Sequence, residues 1–432
     1  MVQPDSTRAR PAYAVVTGGV VRGPEGASIA VGPAAVTIGR SPQASLTLGD
    51  PHVSALHCEL QATARGVVLR DLDSTNGTRV GGVRVAEVWL EEPARIRLGD
   101  TELSFVPAEK AELLSSSTET GFGAMVGSAP AMRRVYELLK AVAPTELSVL
   151  ISAETGSGKE LVARALHDAS PRRRGPFVVV DCGALPTSLA ESILFGHERG
   201  AFTGATERKA GAFLEANGGT IFLDELGELP EEVQPKLLRA AAERAVKRLG
   251  GSRYEPVDVR IVAATRRDLR REMNAQRFRE DLYFRLAQVR IELPPLRERP
   301  EDIPLLTGVA CERVGNAAAT ERVLRLIQAR FTRYDWPGNV RELMNVASVL
   351  AAIGDAGATG LVEHVLPLEG GTAEPPSGEQ DAAGFVQAKR RFEEQYFRRL
   401  LHSTDGNISE IARRCGLARH QVRAHLSKLG LT

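Results

Sequence analysis

The run Ala153-Glu154-Thr155-Gly156-Ser157-Gly158-Lys159-Glu160 constrains the fold of this chain more than any other feature. It follows the apolar stretch Val149–Ser152 and precedes a helical pattern, so a glycine-rich turn joins a buried strand to a helix. Such a turn aims backbone N–H groups and a helix N-terminus at phosphate oxygens, and Lys159 can reach the β- and γ-phosphates. Two positions depart from the general phosphate-loop pattern. Ala153 replaces the first glycine, and Glu160 replaces the Mg2+-binding hydroxyl residue. Read alone, the run is either a nucleotide site or an ordinary strand–turn–helix.

A second apolar strand, Thr220–Leu223, ends in Asp224-Glu225. In that position Asp224 would hold Mg2+, and Glu225 would orient or activate the attacking water. Other apolar strands at Phe177–Val180 and Val259–Ala264 alternate with helical stretches, the pattern of an α/β parallel sheet.

Two polar segments, 107–122 and 369–384, have linker composition and divide the chain into modules at 12–106, 123–368 and 385–432. Short alternating runs broken by Gly, Pro, Asn and Asp mark the first module as an all-β sandwich. The third reads as helices only. The formal net charge of +1 over 432 residues argues against nucleic acid only as an average. Residues 385–432 carry 10 basic and 4 acidic groups, and the preceding linker carries 4 acidic groups and no basic one. No uncharged apolar run approaches the ~18–20 residues needed to cross a bilayer. Ala12–Val21 imitates a signal peptide but is closed by Arg22 and reads as a first strand. Cys58, Cys182, Cys311 and Cys415 fit neither a disulfide framework nor zinc spacing, so they read as buried thiols of a cytoplasmic protein.

Further motifs carry a resemblance. The loop Gly200-Ala201-Phe202-Thr203-Gly204-Ala205 stands among Leu194–Glu198, Phe278–Leu282, Leu293–Arg299 and Trp336–Leu343. In content and order these are similar to the motifs of sigma-54-dependent transcriptional activators, a branch of the AAA+ ATPases. The resemblance covers nearly all of 123–368 and implies an α/β P-loop ATPase with a helical lid, binding ATP and Mg2+. It implies that Glu154, Thr155, Gly156, Ser157, Gly158, Lys159 and Glu160 bind ATP, with Asp224 as metal ligand and Asp224 and Glu225 catalytic. Arg279 and Arg285 match arginine fingers that reach a neighbouring subunit, and Arg341 matches a sensor arginine of the lid. A finger supplied in trans implies a homo-oligomeric ring, read as a hexamer. The Gly200–Ala205 loop would present Phe202 and Thr203 to sigma-54, its glycines permitting a tight tip and an exposed aromatic. Two nucleotide-sensing positions differ from the family. Asp181 replaces a common Asn and is expected to repel Glu225 unless one carboxyl is protonated. Thr265 is followed by Arg266 rather than Asn or His.

In the first module Gly39-Arg40, Ser54 with His57, and Thr75-Asn76-Gly77 fall in order on loops between strands. Arginine suits bidentate contact with phosphate, and a hydroxyl and an amide complete a cradle. The order and spacing resemble a forkhead-associated (FHA) domain. That implies phosphate binding by Arg40, Ser54 and Thr75, with Asn76 on the peptide backbone and Gly39 and His57 shaping the loops. A phosphothreonine protein or peptide from a Ser/Thr kinase pathway is the implied partner, a two-component-like input.

In the third module an amphipathic helix follows Phe385, a second begins at Asn407–Ala412, and Ala418–Leu429 forms a third after Gly416. This is a helix-turn-helix, similar to the factor-for-inversion-stimulation type. Arg419, His420, Gln421, Arg423 and Lys428 would contact DNA. The leading reading is an enhancer-binding ATPase that remodels sigma-54 RNA polymerase for promoter opening. Two alternatives stand beside it: a DNA-bound phosphopeptide adaptor with a weak ATPase, and a regulator acting with the housekeeping sigma factor.

Overall fold

The computed structural model describes residues 13–365, with breaks at 17, 64, 109–111, 116–118 and 332–333, and beyond these only 408, 411, 422 and 426. It forms two compact units, Met1–Val365 and Leu366–Thr432.

The amino-terminal module is the expected β-sandwich. One sheet runs, in spatial order, Glu87–Leu90, Gly66–Asp71, Cys58–Thr63, Val36–Gly39 and Leu46–Thr47. The other runs Ser28–Val31, Gly19–Arg22, Thr101–Pro107, Ala94–Leu98, Thr78–Val80 and Val83–Val85. Alternation does the work: in Thr101–Pro107, Leu103 and Phe105 point inward and their neighbours outward. They pack with Val21, Ile38, Leu60, Leu69, Ile96 and Leu98 between the sheets. Part of the expected linker is also structured, because Glu112–Ser115 pairs antiparallel with Tyr13–Val16.

The central sheet has β1 (Val149–Ser152), β2 (Phe177–Asp181), β3 (Thr220–Asp224), β4 (Arg260–Thr265) and β5 (Val289–Glu292) in the order β2-β3-β4-β1-β5. Every pairing is parallel. Helices cover both faces, so β3 and β4 bury nearly every residue and read as continuous apolar runs. Ile221, Phe222 and Leu223 are fully buried, each contributing about 1.5–3 kcal/mol relative to exposure. The register aligns Ser152 with Thr265 and Asp181 with Asp224, which gathers the functional loops at the carboxyl edge of the sheet. Helix α1 (Lys159–Asp168) leaves the glycine-rich turn, α2 (Leu269–Asn274) and α3 (Glu280–Leu286) follow β4, and α4 (Asn339–Val365) lies in the carboxy-terminal helices of the unit.

Cys58, Cys182 and Cys311 are buried free thiols, and burial pushes the Cys182 thiol up to about 12. Among the described residues no helix is long and apolar enough to cross a membrane. Ile408, Ile411, Val422 and Leu426 are helical, the last three of them buried. Arg419, His420, Gln421, Arg423, Lys428, Cys415 and the 369–384 segment lie outside the described residues.

Candidate functional site

The glycine-rich turn follows β1 with two left-handed residues, Gly156 at φ 80° and Gly158 at φ 107°. At Gly156 a Cβ would lie 2.1 Å from the Gly338 carbonyl oxygen. Glycine is therefore required twice over there, by backbone and by packing. Gly156→Ala is expected to weaken nucleotide binding about tenfold or more, since the left-handed backbone alone costs ~1–2 kcal/mol. Titration with a fluorescent ATP analogue checks this, and an unchanged affinity refutes the close packing.

Lys159 opens α1, is 7% exposed, and places Nζ 2.6 Å from Glu225 Oε1. Glu225 itself holds a left-handed backbone, φ 48°, which a non-glycine residue adopts at a cost. That turn directs its carboxylate to Lys159 on one side and to the Arg266 amide, 3.3 Å away, on the other. Asp224 accepts from the Glu225 amide at 3.0 Å. Burial lifts its carboxyl above the usual range, against the Glu225 amide and the Lys159 charge. A half-buried carboxylate under-neutralised in this way fits a divalent cation. The Ser157 hydroxyl of the glycine-rich turn is also buried and without a hydrogen-bond partner. Glu160 is exposed on the first turn of α1.

The Asp181 carboxylate accepts from the Gly183 and Ala184 amides, at 2.9 and 3.3 Å, capping a short 3-10 turn. These donors meet its charge locally, and that charge still helps raise the neighbouring Asp224 carboxyl. Thr265, buried at the end of β4, accepts from the Arg267 amide, while the Arg266 guanidinium pairs with Glu228 at 3.1 Å.

One group of residues was missed from sequence. Asn339 is fully buried at φ 53°, and its Nδ2 donates to Glu154 Oε2 and the Thr155 carbonyl at 3.0 and 3.1 Å. Its Oδ1 accepts from the Leu296 amide at 2.8 Å. Arg297 forks onto Glu154 at 2.9 and 2.6 Å and holds that carboxyl below its usual range, helped by Asn339. Arg299 reaches the Ser157 carbonyl at 3.3 Å. These bonds tie the carboxy-terminal helices to the glycine-rich turn. The exposed Arg341 joins them through its amide, 3.1 Å from the Gly156 carbonyl. The sequence signal for Asn339, Arg297 and Arg299 was their place in the motifs Leu293–Arg299 and Trp336–Leu343, without the contacts that join them.

Arg279 and Arg285 are both exposed. Arg279 forks onto Asp281 at 3.0 and 2.8 Å, and Arg285 donates to the Ala241 carbonyl at 3.1 and 3.0 Å. In the Gly200–Ala205 loop the ends are closed by a bond from the Gly200 amide to the Ala205 carbonyl, 2.8 Å, and both glycines are left-handed. Thr203 is exposed with Gly204, and Ala201 is half-buried. Phe202 is not the freely exposed aromatic expected: its ring packs edge-on against His197, 5.1 Å between centroids, which hides part of its apolar surface.

In the sandwich, Ser54 Oγ accepts from the Thr75 amide at 3.1 Å, and Asn76 Nδ2 donates to the His52 carbonyl at 2.7 Å. Arg40 is exposed beside them, its Nε 3.3 Å from the Val53 carbonyl. The loop-shaping residues act as expected. His57 Nδ1 accepts from the Ser54 amide at 3.1 Å, and burial lowers the imidazole's pKa, favouring that neutral acceptor form. A Cβ at Gly39 would lie 2.1 Å from the Ala55 carbonyl oxygen. Arg40, Ser54, Thr75 and Asn76 thus converge on one open edge.

Residues 125–292 match the family described as sigma-54 interaction domain, and 297–377 that described as AAA+ ATPase lid domain. Residues 19–109 match the family described as inner membrane component of T3SS, cytoplasmic domain. The transcriptional regulatory protein ZraR of Escherichia coli is 45% identical over 316 residues, 72% of this chain and 70% of that protein. The C4-dicarboxylate transport transcriptional regulatory protein DctD of Pseudomonas aeruginosa is 43% identical over 343 residues, 79% of this chain and 70% of that protein. The structure of NtrX from Brucella abortus in complex with ATP is similar at a TM-score of 0.50 and 33% identity, covering 72% of this chain and 70% of that one.

Proposed function

This chain belongs to the sigma-54-dependent transcriptional regulators and is an AAA+ ATPase, and we propose that it couples a phosphothreonine signal to opening of sigma-54 promoters. The carrying observation is the grouping of Lys159, Asp224 and Glu225 at the sheet edge, in a chain that also presents the Gly200–Ala205 tip. Glycine-rich backbone and Lys159 hold the β- and γ-phosphates of ATP. Asp224 would hold Mg2+, which would supply positive charge against the charge developing on the phosphates. Glu225 orients the attacking water once ATP draws Lys159 from it. Glu154, Asn339 and Arg297 carry the nucleotide state into the lid, and Arg341 faces the same loop. Arg279 and Arg285 complete the site of a neighbouring subunit in a ring, a hexamer by the family resemblance.

The exposed Thr203 makes the contact with sigma-54, and the packing of Phe202 on His197 stores that ring until the loop rises. Arg40, Ser54, Thr75 and Asn76 read phosphothreonine. Arg419, His420, Gln421, Arg423 and Lys428 dock the chain on enhancer DNA, a role supported by the basic excess of residues 385–432. Mixing the protein with sigma-54 and ADP–aluminium fluoride is expected to give a stable complex by native gel, lost in Thr203→Ala. No complex, or one indifferent to that change, would defeat the reading in favour of a DNA-bound adaptor.

A further inference from the structure

The sandwich is seated on the ATPase through α2, the helix that precedes Arg279. Glu59 forms an ion pair with Arg270, both side chains nearly buried, and Arg270 also meets Asp268 at 2.8 Å. Leu56 and Leu72, at 2% and 1% exposure, lie in one apolar cluster with Leu269, Met273 and Phe278. At the end of α2 a single atom, Asn274 Nδ2, donates to the carbonyls of Leu56 and Leu72 at 2.9 and 2.6 Å. Arg271 adds an ion pair to Asp73 at 3.5 Å.

The placement of those carbonyls is informative. Leu56 lies two residues after Ser54, and Leu72 three before Thr75, so Asn274 grips the feet of both phosphate loops. The feet also bond to one another, since the Leu72 amide meets the His57 carbonyl at 2.9 Å. On the other side, Arg279 follows Asn274 by five residues, and its amide is fixed to the buried Gln234 at 3.0 Å. Gln43, three residues beyond Arg40, lines a groove with Arg279, Asp281 and Phe284. Arg40, Thr75 and Asn76 stay exposed in this arrangement. A phosphopeptide can therefore enter without displacing the module, and the joint gives it a route to the ATPase.

We propose that the face formed by Leu56, Glu59 and Leu72 is a built docking surface for α2, and that Asn274 couples phosphothreonine at Ser54 and Thr75 to the positioning of Arg279. This rests on the phosphothreonine reading above. Coupling between two sites is reciprocal in binding free energy, so it is measurable from the peptide side alone. The probe is a fluorescent phosphothreonine peptide library with degenerate flanks, and its unphosphorylated twin, titrated into the full chain with and without ADP–aluminium fluoride. Wild type is expected to change its affinity for the phosphorylated library about fivefold or more with the analogue. Asn274→Ala should bind the library but show no such change. Wild-type binding unaffected by the analogue, or an effect that survives in Asn274→Ala, overturns the coupling and leaves the phosphothreonine reading intact. Failure to prefer the phosphorylated library, or preference that survives Arg40→Ala, overturns both. Should Asn274→Ala fail to fold, hydrogen exchange in wild type decides: the library must alter protection across 269–286, and unaltered protection overturns the proposal.

Discussion

Lys159→Ala is expected to lower ATP hydrolysis about 10³-fold or more, the scale on which a positive charge at a transferring phosphoryl group acts. Two losses combine. The phosphates lose the one buried ammonium of the turn, and Glu225 loses the 2.6 Å partner that fixes its carboxylate. Stability should suffer less than for a fully buried pair, where removing one partner costs about 3–5 kcal/mol. Glu225 is one-fifth exposed and keeps the Arg266 amide at 3.3 Å. Phosphate release at saturating ATP, with a melting curve on the same sample, separates the two effects. A folded variant within tenfold of the wild-type rate would remove Lys159 from the mechanism. Glu225→Gln provides the contrast, because it keeps the ammonium and should bind ATP while turning it over slowly.

The parts legible from sequence are those whose chemistry forces residue type and spacing together. Phosphate binding demands glycine and lysine at fixed intervals after a strand, so the site around Lys159 and Asp224 could be read directly. Alternation likewise gave the sandwich, because each strand has one buried face. What escaped is tertiary. Asn339 and Glu154 are 185 residues apart, and neither announces the other. For Asp181 the sequence shows the charge but not the Gly183 and Ala184 amides that donate to it. Phe202 looked exposed because a glycine-flanked tip permits exposure, whereas His197 supplies a surface that makes partial burial favourable. The strand Glu112–Ser115 read as linker because its partner, Tyr13–Val16, lies at the other end of the module. Glu59 and Arg270 are 211 residues apart, and no motif links them before folding places them face to face.

Arg279→Ala should also be inactive alone, yet a mixture of inactive Arg279→Ala and Lys159→Ala chains should regain hydrolysis. The exposed fork from Arg279 to Asp281 is worth only about 0–1 kcal/mol, so it can be exchanged for a phosphate at little cost. A finger acting in trans pairs one chain's arginine with its neighbour's nucleotide, through a head-to-tail interface that differs on its two sides. An Arg279→Ala chain keeps an intact phosphate loop, and a Lys159→Ala chain keeps an intact finger. In randomly mixed rings at equal amounts, about one interface in four combines the two intact halves. Phosphate release should therefore rise from near zero to about a quarter of wild type, and fall again when either variant is in large excess. A finger acting within its own chain predicts no recovery at any ratio, because every chain would carry one broken half. The Arg285→Ala chain in the same mixture tests whether the second arginine reaches across as well. Its bonds to the Ala241 carbonyl hold it to its own subunit, so release from that carbonyl must accompany ring formation if it does.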